Sequence, residues 1–490
     1  MLGSRGRGWG HHGCFGRGAW LLAAGAIVLA PMVAPRAAGA AEVTRVVTAF
    51  DDDNRFDFNL TLSFLHEAKR AFIKRESLQT RTAPNGDMVT RNELIKDLQF
   101  QQTRNILDLR ADFGIFWDIG FHVDVPIVLT DDRRLDFDQS LGHDCQFMFP
   151  GQATIPTCVN AQNSTILHDG ILPGFGQTSY GLDANHNRPY QDPSQTVFSG
   201  PTRSGIEYLG LGVSGAIFNQ ARDDTKPTWL VGFDALLDVS KDMRFDPLAP
   251  GANSGVGLGY HQMVFSTSMS KRFRNFDPYF GVWYMLPVRS SGSPFQKYPV
   301  GGQTAVDPQQ QAGVLFGFEQ IAWEKPAAAQ RVTVEVRGHA QQHFYGRSHS
   351  EIWEALSGSP QCATDATKCR SDPAMPGANY GIDFDGTRAS PYPGVSETEA
   401  YASFGGEAGL NIQVGRYVRF RGLFGLTIDT PHFITYANAG VDKNGDGSVT
   451  LTDPAEKNPT YREIIDNPGR RFRVEGTQIW SLLLQGSLMF

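Results

Sequence analysis

The chain has 490 residues, a formal net charge of −7, 41% hydrophobic and 19% charged residues, and a mean hydropathy of −0.29. The mildly acidic balance and the lack of any basic run argue against a nucleic-acid partner. Beyond the N-terminal region no stretch approaches the roughly 20 apolar residues that a membrane helix needs.

At the N-terminus, Arg5, Arg7 and Arg17 precede an apolar run from Ala19 to Ala30, and Ala37-Ala38-Gly39-Ala40-Ala41 follow. This is the pattern of a secretory signal, expected to be cut after Ala40 or Ala41. Residues 1–41 are therefore read as signal and 42–490 as one exported domain. Cys14 lies before the apolar core and leaves with the signal.

Alternation then dominates. Phe56, Phe58, Leu60, Leu62 and Phe64 interleave with Asp57, Asn59, Thr61 and Ser63. Leu107, Leu109, Ala111, Phe113 and Ile115 interleave with Asp108, Arg110, Asp112 and Gly114. Ile119, Phe121, Val123, Val125 and Ile127 follow in the same way. A period of two is a strand with one apolar face. Further candidates lie near 205–218, 228–238, 257–270, 278–287, 312–323, 331–345, 399–414, 418–430 and 472–490, about twelve strands in all. In the last, Trp480, Leu482, Leu484, Gly486, Leu488 and the terminal Phe490 share one face, against Ser481, Leu483, Gln485 and Ser487.

The connections take turns in length. Joins at 116–118, 219–227, 271–277, 325–330 and 415–417 are short, and those at 69–97, 131–203, 239–256, 288–311, 346–398 and 431–471 are long. With the N-terminus periplasmic, all short joins fall inside and all long ones outside, the asymmetry of a transmembrane β-barrel. Trp117, Trp229, Phe273, Phe276, Trp323 and Tyr417 sit beside the short turns, as an aromatic girdle would. The expected fold is all-β: a single transmembrane antiparallel barrel of about twelve strands, lodged in the cell outer membrane among its lipid and lipopolysaccharide. About a dozen residues separate the cleavage site from the first strand, so no plug domain is expected.

The chain's ending resembles that of Gram-negative outer-membrane barrel proteins, a porin-like class. The resemblance implies that Phe490 is part of the signal read by the barrel assembly machinery.

Four cysteines remain after cleavage, in two close pairs, Cys145 with Cys158 and Cys362 with Cys369. In an exported chain these read as two disulfides within outer loops. In the last outer loop, Asp442-Lys443-Asn444-Gly445-Asp446-Gly447-Ser448-Val449-Thr450-Leu451-Thr452-Asp453 resembles the twelve-residue calcium loop of EF-hands and dockerins. The resemblance implies oxygen ligands from Asp442, Asn444, Asp446, Ser448, Thr450 and Asp453 around a structural calcium ion. Asp at the closing position, where EF-hands carry Glu, is a departure, and the rival reading is an ordinary polar turn.

In the strand at 331–345, outward Val332, Val334 and Val336 would turn Glu335, Arg337, His339 and His343 into the lumen. His339 and His343 would lie about 13 Å apart along the strand, too far for one metal. Asp108, Arg110, Asp112, His122, Asp124, Glu399, Glu407, Arg419, Arg421, Arg473 and Glu475 would join them. Such a lumen is either a narrow channel whose field selects a small solute or a salt-bridged filling. The first makes the chain an outer-membrane channel or transporter. The second leaves a loop-presenting surface barrel: adhesin, receptor or structural protein. An outer-membrane hydrolase would need a catalytic set, and His343, His349, Asp131 and Asp132 are its nearest material, without a nucleophile motif. No enzymatic activity is therefore expected.

Overall fold

In the computed structural model, which describes residues 41–50, 56–138, 140, 146–147, 155–156, 159, 196–244, 254–295, 297, 301–357 and 394–490, twelve strands run antiparallel around a closed circuit. They are β1 (Phe58–Thr82), β2 (Met88–Phe116), β3 (Ile119–Phe137) and β4 (Leu209–Phe218). Next come β5 (Thr228–Leu237), β6 (Tyr260–Ser270), β7 (Phe276–Arg289) and β8 (Gln311–Lys325). The circuit ends with β9 (Gln330–His343), β10 (Tyr401–Val414), β11 (Val418–Asp429) and β12 (Phe472–Met489). Each strand pairs with the next, and β12 returns to β1 from Asn59↔Met489 to Arg75↔Phe472. At the seam the Phe490 N–H donates to the Phe58 carbonyl at 2.8 Å, and the Phe58 N–H donates to the Phe490 carbonyl at 3.1 Å. No described helix is long and apolar enough to cross a membrane. A closed sheet needs none, because every strand satisfies its backbone in a neighbour.

Alternation now has a direction. On β12, Trp480, Leu482, Leu484 and Leu488 are exposed on the outer surface, while Thr477 and Ser487 are buried inside. On β1, Leu60 and Leu62 face out, and Thr61 donates to or accepts from Ser487 across the lumen wall at 3.0 Å. The short turns carry exposed Phe116, Trp117, Phe273, Phe276, Trp323 and Tyr417, which form the girdle at one rim. These turns reverse tightly through left-handed residues: Trp117 (φ 50), Arg274 (φ 56), Ala329 (φ 48) and Gly415 (φ 75). The outward apolar band and the girdle make this a transmembrane barrel of the outer membrane.

Two expectations are corrected. The stretch 69–97 is mostly strand: β1 and β2 have 25 and 29 residues and stay paired to Thr82↔Met88, leaving a turn at 83–87. A membrane strand needs only about 9–11 residues, so this hairpin stands far above the bilayer. Neither face meets lipid there, so alternation fades, and polar pairs such as Thr80–Thr90 at 2.9 Å hold it. Secondly, Arg473 and Glu475 do not face the lumen. A bulge opposite Arg70/Phe72, where Gly476 adopts φ 60, turns the strand over, so Phe472 and Val474 point inward. One inserted residue moves a whole side-chain set to the other face. Glu475 instead pairs with Lys74 at 2.5 Å.

The orientation predicts surface labelling. Gly301 is packed, since a Cβ there would lie 2.9 Å from the Ala455 carbonyl oxygen, whereas Gly86 is open. An epitope inserted at Gly86 should be detected on intact cells. One at Ala328, in the short turn Pro326–Ala328, should be detected only after the outer membrane is opened. Labelling of Ala328 on intact cells would reverse the topology.

Candidate functional site

The lumen has three storeys. At mid-height its charges answer one another. Glu335, fully buried, accepts three hydrogen bonds from Arg421 (2.7, 2.8 and 3.0 Å), one from the Tyr279 hydroxyl (2.9 Å) and one from Asn411 (3.2 Å). Arg337 donates to Glu407 at 2.8 Å. His339 meets Thr427 at 3.1 Å, and His122 contacts Asp234 at 2.6 Å. Arg110 is 2.9 Å from Asp112. Of the residues expected in the lumen on β9 and β11, Glu335, Arg337, His339 and Arg421 meet partners there, whereas His343 lies in the outer storey and Arg419 pairs with Glu42 in the inner one.

The outer storey is apolar, which the sequence did not suggest. A segment of the join between β9 and β10 folds into the barrel mouth, held by a ribbon pairing Gly346–Ser348 with Ser396–Thr398. Its one-turn helix α1 (Trp353–Leu356) buries Ile352, Trp353 and Leu356 against wall residues Ile73, Leu98, Phe100, Leu135, Phe472 and Val474. The guanidinium groups of Arg203 (4.9 Å) and Arg133 (5.6 Å) both stand over the Trp353 ring. Arg203 in turn pairs with Glu354 at 2.7 Å, and Lys69 with Glu351 at 2.8 Å. Burial would raise the Glu351 carboxyl, yet Lys69 brings it down to about 2. Beneath this lid a cavity of about 210 Å³ is lined by Lys69, Tyr260, Gln311, His343, Tyr401 and His432, among others. His343, Tyr401 and His432 stack in parallel with centroids 4.1 and 3.8 Å apart.

The inner storey is filled by the residues just after the expected cleavage site. A 3-10 turn at Glu42–Thr44 lies within the wall: the Glu42 N–H donates to Glu319 at 2.7 Å, and the Thr44 hydroxyl meets Ser270 at 2.6 Å. Glu42 also pairs with Arg419, and with Arg45 at 3.3 Å. The segment ends on the far wall, where the Ala49 N–H donates to the Trp117 carbonyl at 2.9 Å. This short segment thus lies across the inner mouth from one wall to the other.

The hydrolase candidates do not assemble a catalytic set. Asp131 is occupied by Arg133 at 2.9 Å, Asp132 accepts from Thr202 at 2.6 Å, and His349 packs edge-on against Trp353 at 4.9 Å. Ser403 is 3.3 Å from His343 but donates its proton to Asp429 at 2.6 Å, so His343 does not stand as its base.

In the 442–453 loop the acids hold backbone amides. Asp442 accepts from Gly445 (2.7 Å) and Gly447 (2.9 Å), Asn444 from Asp446 (2.9 Å), and Asp446 from the Ser448 N–H and hydroxyl (both 2.8 Å). Thr450 donates its N–H to Glu456 at 2.8 Å, and Asp453 caps Ala455 at 2.8 Å. Glu456, unremarked in the sequence, is the acid that enters the loop; it also takes the N–H groups of Lys443 and Asn444. No group of three or more His, Cys, Asp or Glu that could hold a metal ion is found among the described residues. Cys145, Cys158, Cys362 and Cys369 lie outside the described residues.

Further along the same join, Asp466 is buried and accepts from the Arg462 N–H at 2.8 Å. Burial pushes its carboxyl up to about 8, with Glu397 adding to the rise. A raised acid favours the folded state below its unfolded pKa of about 4 and loses that contribution as pH climbs to about 8. Limited proteolysis of residues 430–471 should therefore quicken between pH 5 and 9, and Asp466→Asn should flatten the profile. An identical profile in both proteins would remove Asp466 as the cause.

No family model and no curated protein matches this chain. Among solved structures it is similar to an outer-membrane channel from Pseudomonas putida F1 (8% identity, 88% of this chain and 96% of that one, TM-score 0.35). It is also similar to the outer-membrane protease OmpT of Escherichia coli (8% identity, 91% and 100%, TM-score 0.24). A third is a Pseudomonas aeruginosa FadL homologue (7% identity, 89% and 90%, TM-score 0.26). Likenesses this distant carry neither substrate nor activity to the present chain.

Proposed function

We propose that this barrel is an outer-membrane channel or transporter for a small polar solute, with a chain segment seated in each mouth. The observation that carries the reading is the construction of the closure. The wall at mid-height is lined by paired charges, while the stoppers are separate chain segments laid into each mouth. A barrel needing only to be filled could use apolar side chains from its own strands. Charged walls suit a wet path and select by field. In planar bilayers the purified protein should give discrete conductance steps. A well-folded barrel that never conducts would overturn the reading and favour the surface role.

We further propose that the 442–453 loop takes calcium after rearranging its acids, with Glu456 as well as Asp453 available to close it. Such extracellular sites bind at roughly 10⁻⁴ to 10⁻³ M. Chelation should raise protease sensitivity across 436–471 and leave the barrel intact, and Asp442→Ala with Asp446→Ala should do so with calcium present. Identical proteolysis with calcium and with chelator would leave an ordinary polar turn.

A further inference from the structure

Three carboxylates share one row of the inner wall: Asp277 pairs in register with Glu319, and Glu319 with Glu335. All three are buried. Like charges directly opposite one another destabilise a sheet unless something answers them. Arg421 answers Glu335. Asp277 takes a hydrogen bond from the Ser270 hydroxyl and one from the Ala41 backbone N–H, and Glu319 takes the Glu42 N–H. A neutral donor leaves the charge of a buried carboxylate uncompensated, and Oδ1 of Asp277 has no hydrogen-bond partner. Arg272 and Arg331 act on Asp277 only as neighbouring charges.

These are the two N–H groups that expected processing would change. Hydrolysis between Ala40 and Ala41 by a leader peptidase consumes one water, leaves a carboxylate on the leader and makes the Ala41 nitrogen an ammonium. Cleavage one residue later does the same to Glu42. In either register the new cation arises against a lumenal carboxylate that its nitrogen already touches. The wall is also shaped for the segment. Gly114 passes so close that a Cβ there would stand 1.9 Å from the Thr48 carbonyl oxygen. Asp57 holds the Thr48 N–H and hydroxyl, both at 2.8 Å.

We propose that the inner mouth of the barrel is a binding site for the chain's own processed amino terminus, whose α-ammonium pairs with Asp277 when Ala41 is first, or with Glu319 when Glu42 is first, and holds residues 41–49 across the lumen. The plug is thus locked only in the mature protein. The site stands without the channel reading, although its effect on conductance rests on it.

The test uses mature protein purified from outer membranes. Intact mass should place the first residue at Ala41 or Glu42; any other start overturns the proposal. An amine-reactive ester at neutral pH should label the α-amine about tenfold or more slowly in the folded barrel than after heat denaturation in detergent. Equal rates would overturn it, whatever the variants do. Asp277→Asn with Glu319→Gln should restore fast labelling, and Gly114→Val, which displaces Thr48, should do so without touching a charge. If either variant stays protected while folded, the carboxylates or the cradle do not hold the terminus. Both should also raise single-channel conductance. Protected amines in a barrel that never conducts would sink the channel reading and leave this site intact.

Discussion

Trp353→Ala should open the outer mouth while leaving the barrel standing. Trp353 is fully buried, the largest side chain of the lid core, with two guanidinium groups over its ring. Truncating a buried Trp costs about 3–5 kcal/mol, and each cation–π contact adds roughly 0.5–2 kcal/mol. The lid is anchored by few other apolar groups, so its local opening absorbs the loss. The strand ladder, whose hydrogen bonds Trp353 does not touch, should keep its resistance to heating in detergent. Hydrogen exchange should quicken in residues 346–357, and conductance should rise severalfold. Unchanged exchange there would show that the lid is held elsewhere. A fall in the barrel's own thermal transition would show that lid and wall are one cooperative unit.

Arg421→Ala should do the reverse, weakening the wall and sparing the lid. It strips the two-pronged partner from Glu335, which has no access to water. Removing one member of a buried pair costs about 3–5 kcal/mol, because the other is left as an uncompensated charge. The temperature at which the folded band disappears in detergent electrophoresis should drop markedly. Glu335→Gln added to Arg421→Ala should recover most of the loss, since the orphaned charge is then gone. If the double variant is no better than the single, packing by the arginine stem, not charge, is what the wall misses.

The parts of this molecule that were legible in its sequence are those at membrane height. There one face meets lipid and the other the lumen, so Leu60, Leu62, Trp480 and Leu484 must alternate with Thr61, Ser63, Ser481 and Gln485, and period two survives in plain view. Glu335, Arg337, Arg419 and Arg421 could be placed by the same parity. Above the membrane the constraint lapses, and residues 69–97 look like a loop although they are paired. Gly476 hid the turnover of β12, because a bulge leaves no trace beyond one glycine. The lid helix is a single turn, too short for any periodic signal. The seating of Ala41 and Glu42 was invisible because it depends on Asp277 and Glu319, more than two hundred residues away in the chain. Glu456 lies three residues past the loop pattern that drew attention, and only the folded join turns it inward.

The seam between β1 and β12 ties residues 426 positions apart, as Thr61 and Ser487 are. Contacts so distant along the chain form slowly. Until the final 18-residue strand has been exported and delivered, β1 stands as an open edge with its amides and carbonyls unmet. A long nascent chain in that state invites pairing with its neighbours. The cell must therefore shepherd nearly the whole polypeptide across the periplasm unfolded, and a stop codon even one strand early would yield an adhesive ribbon in place of a closed cylinder.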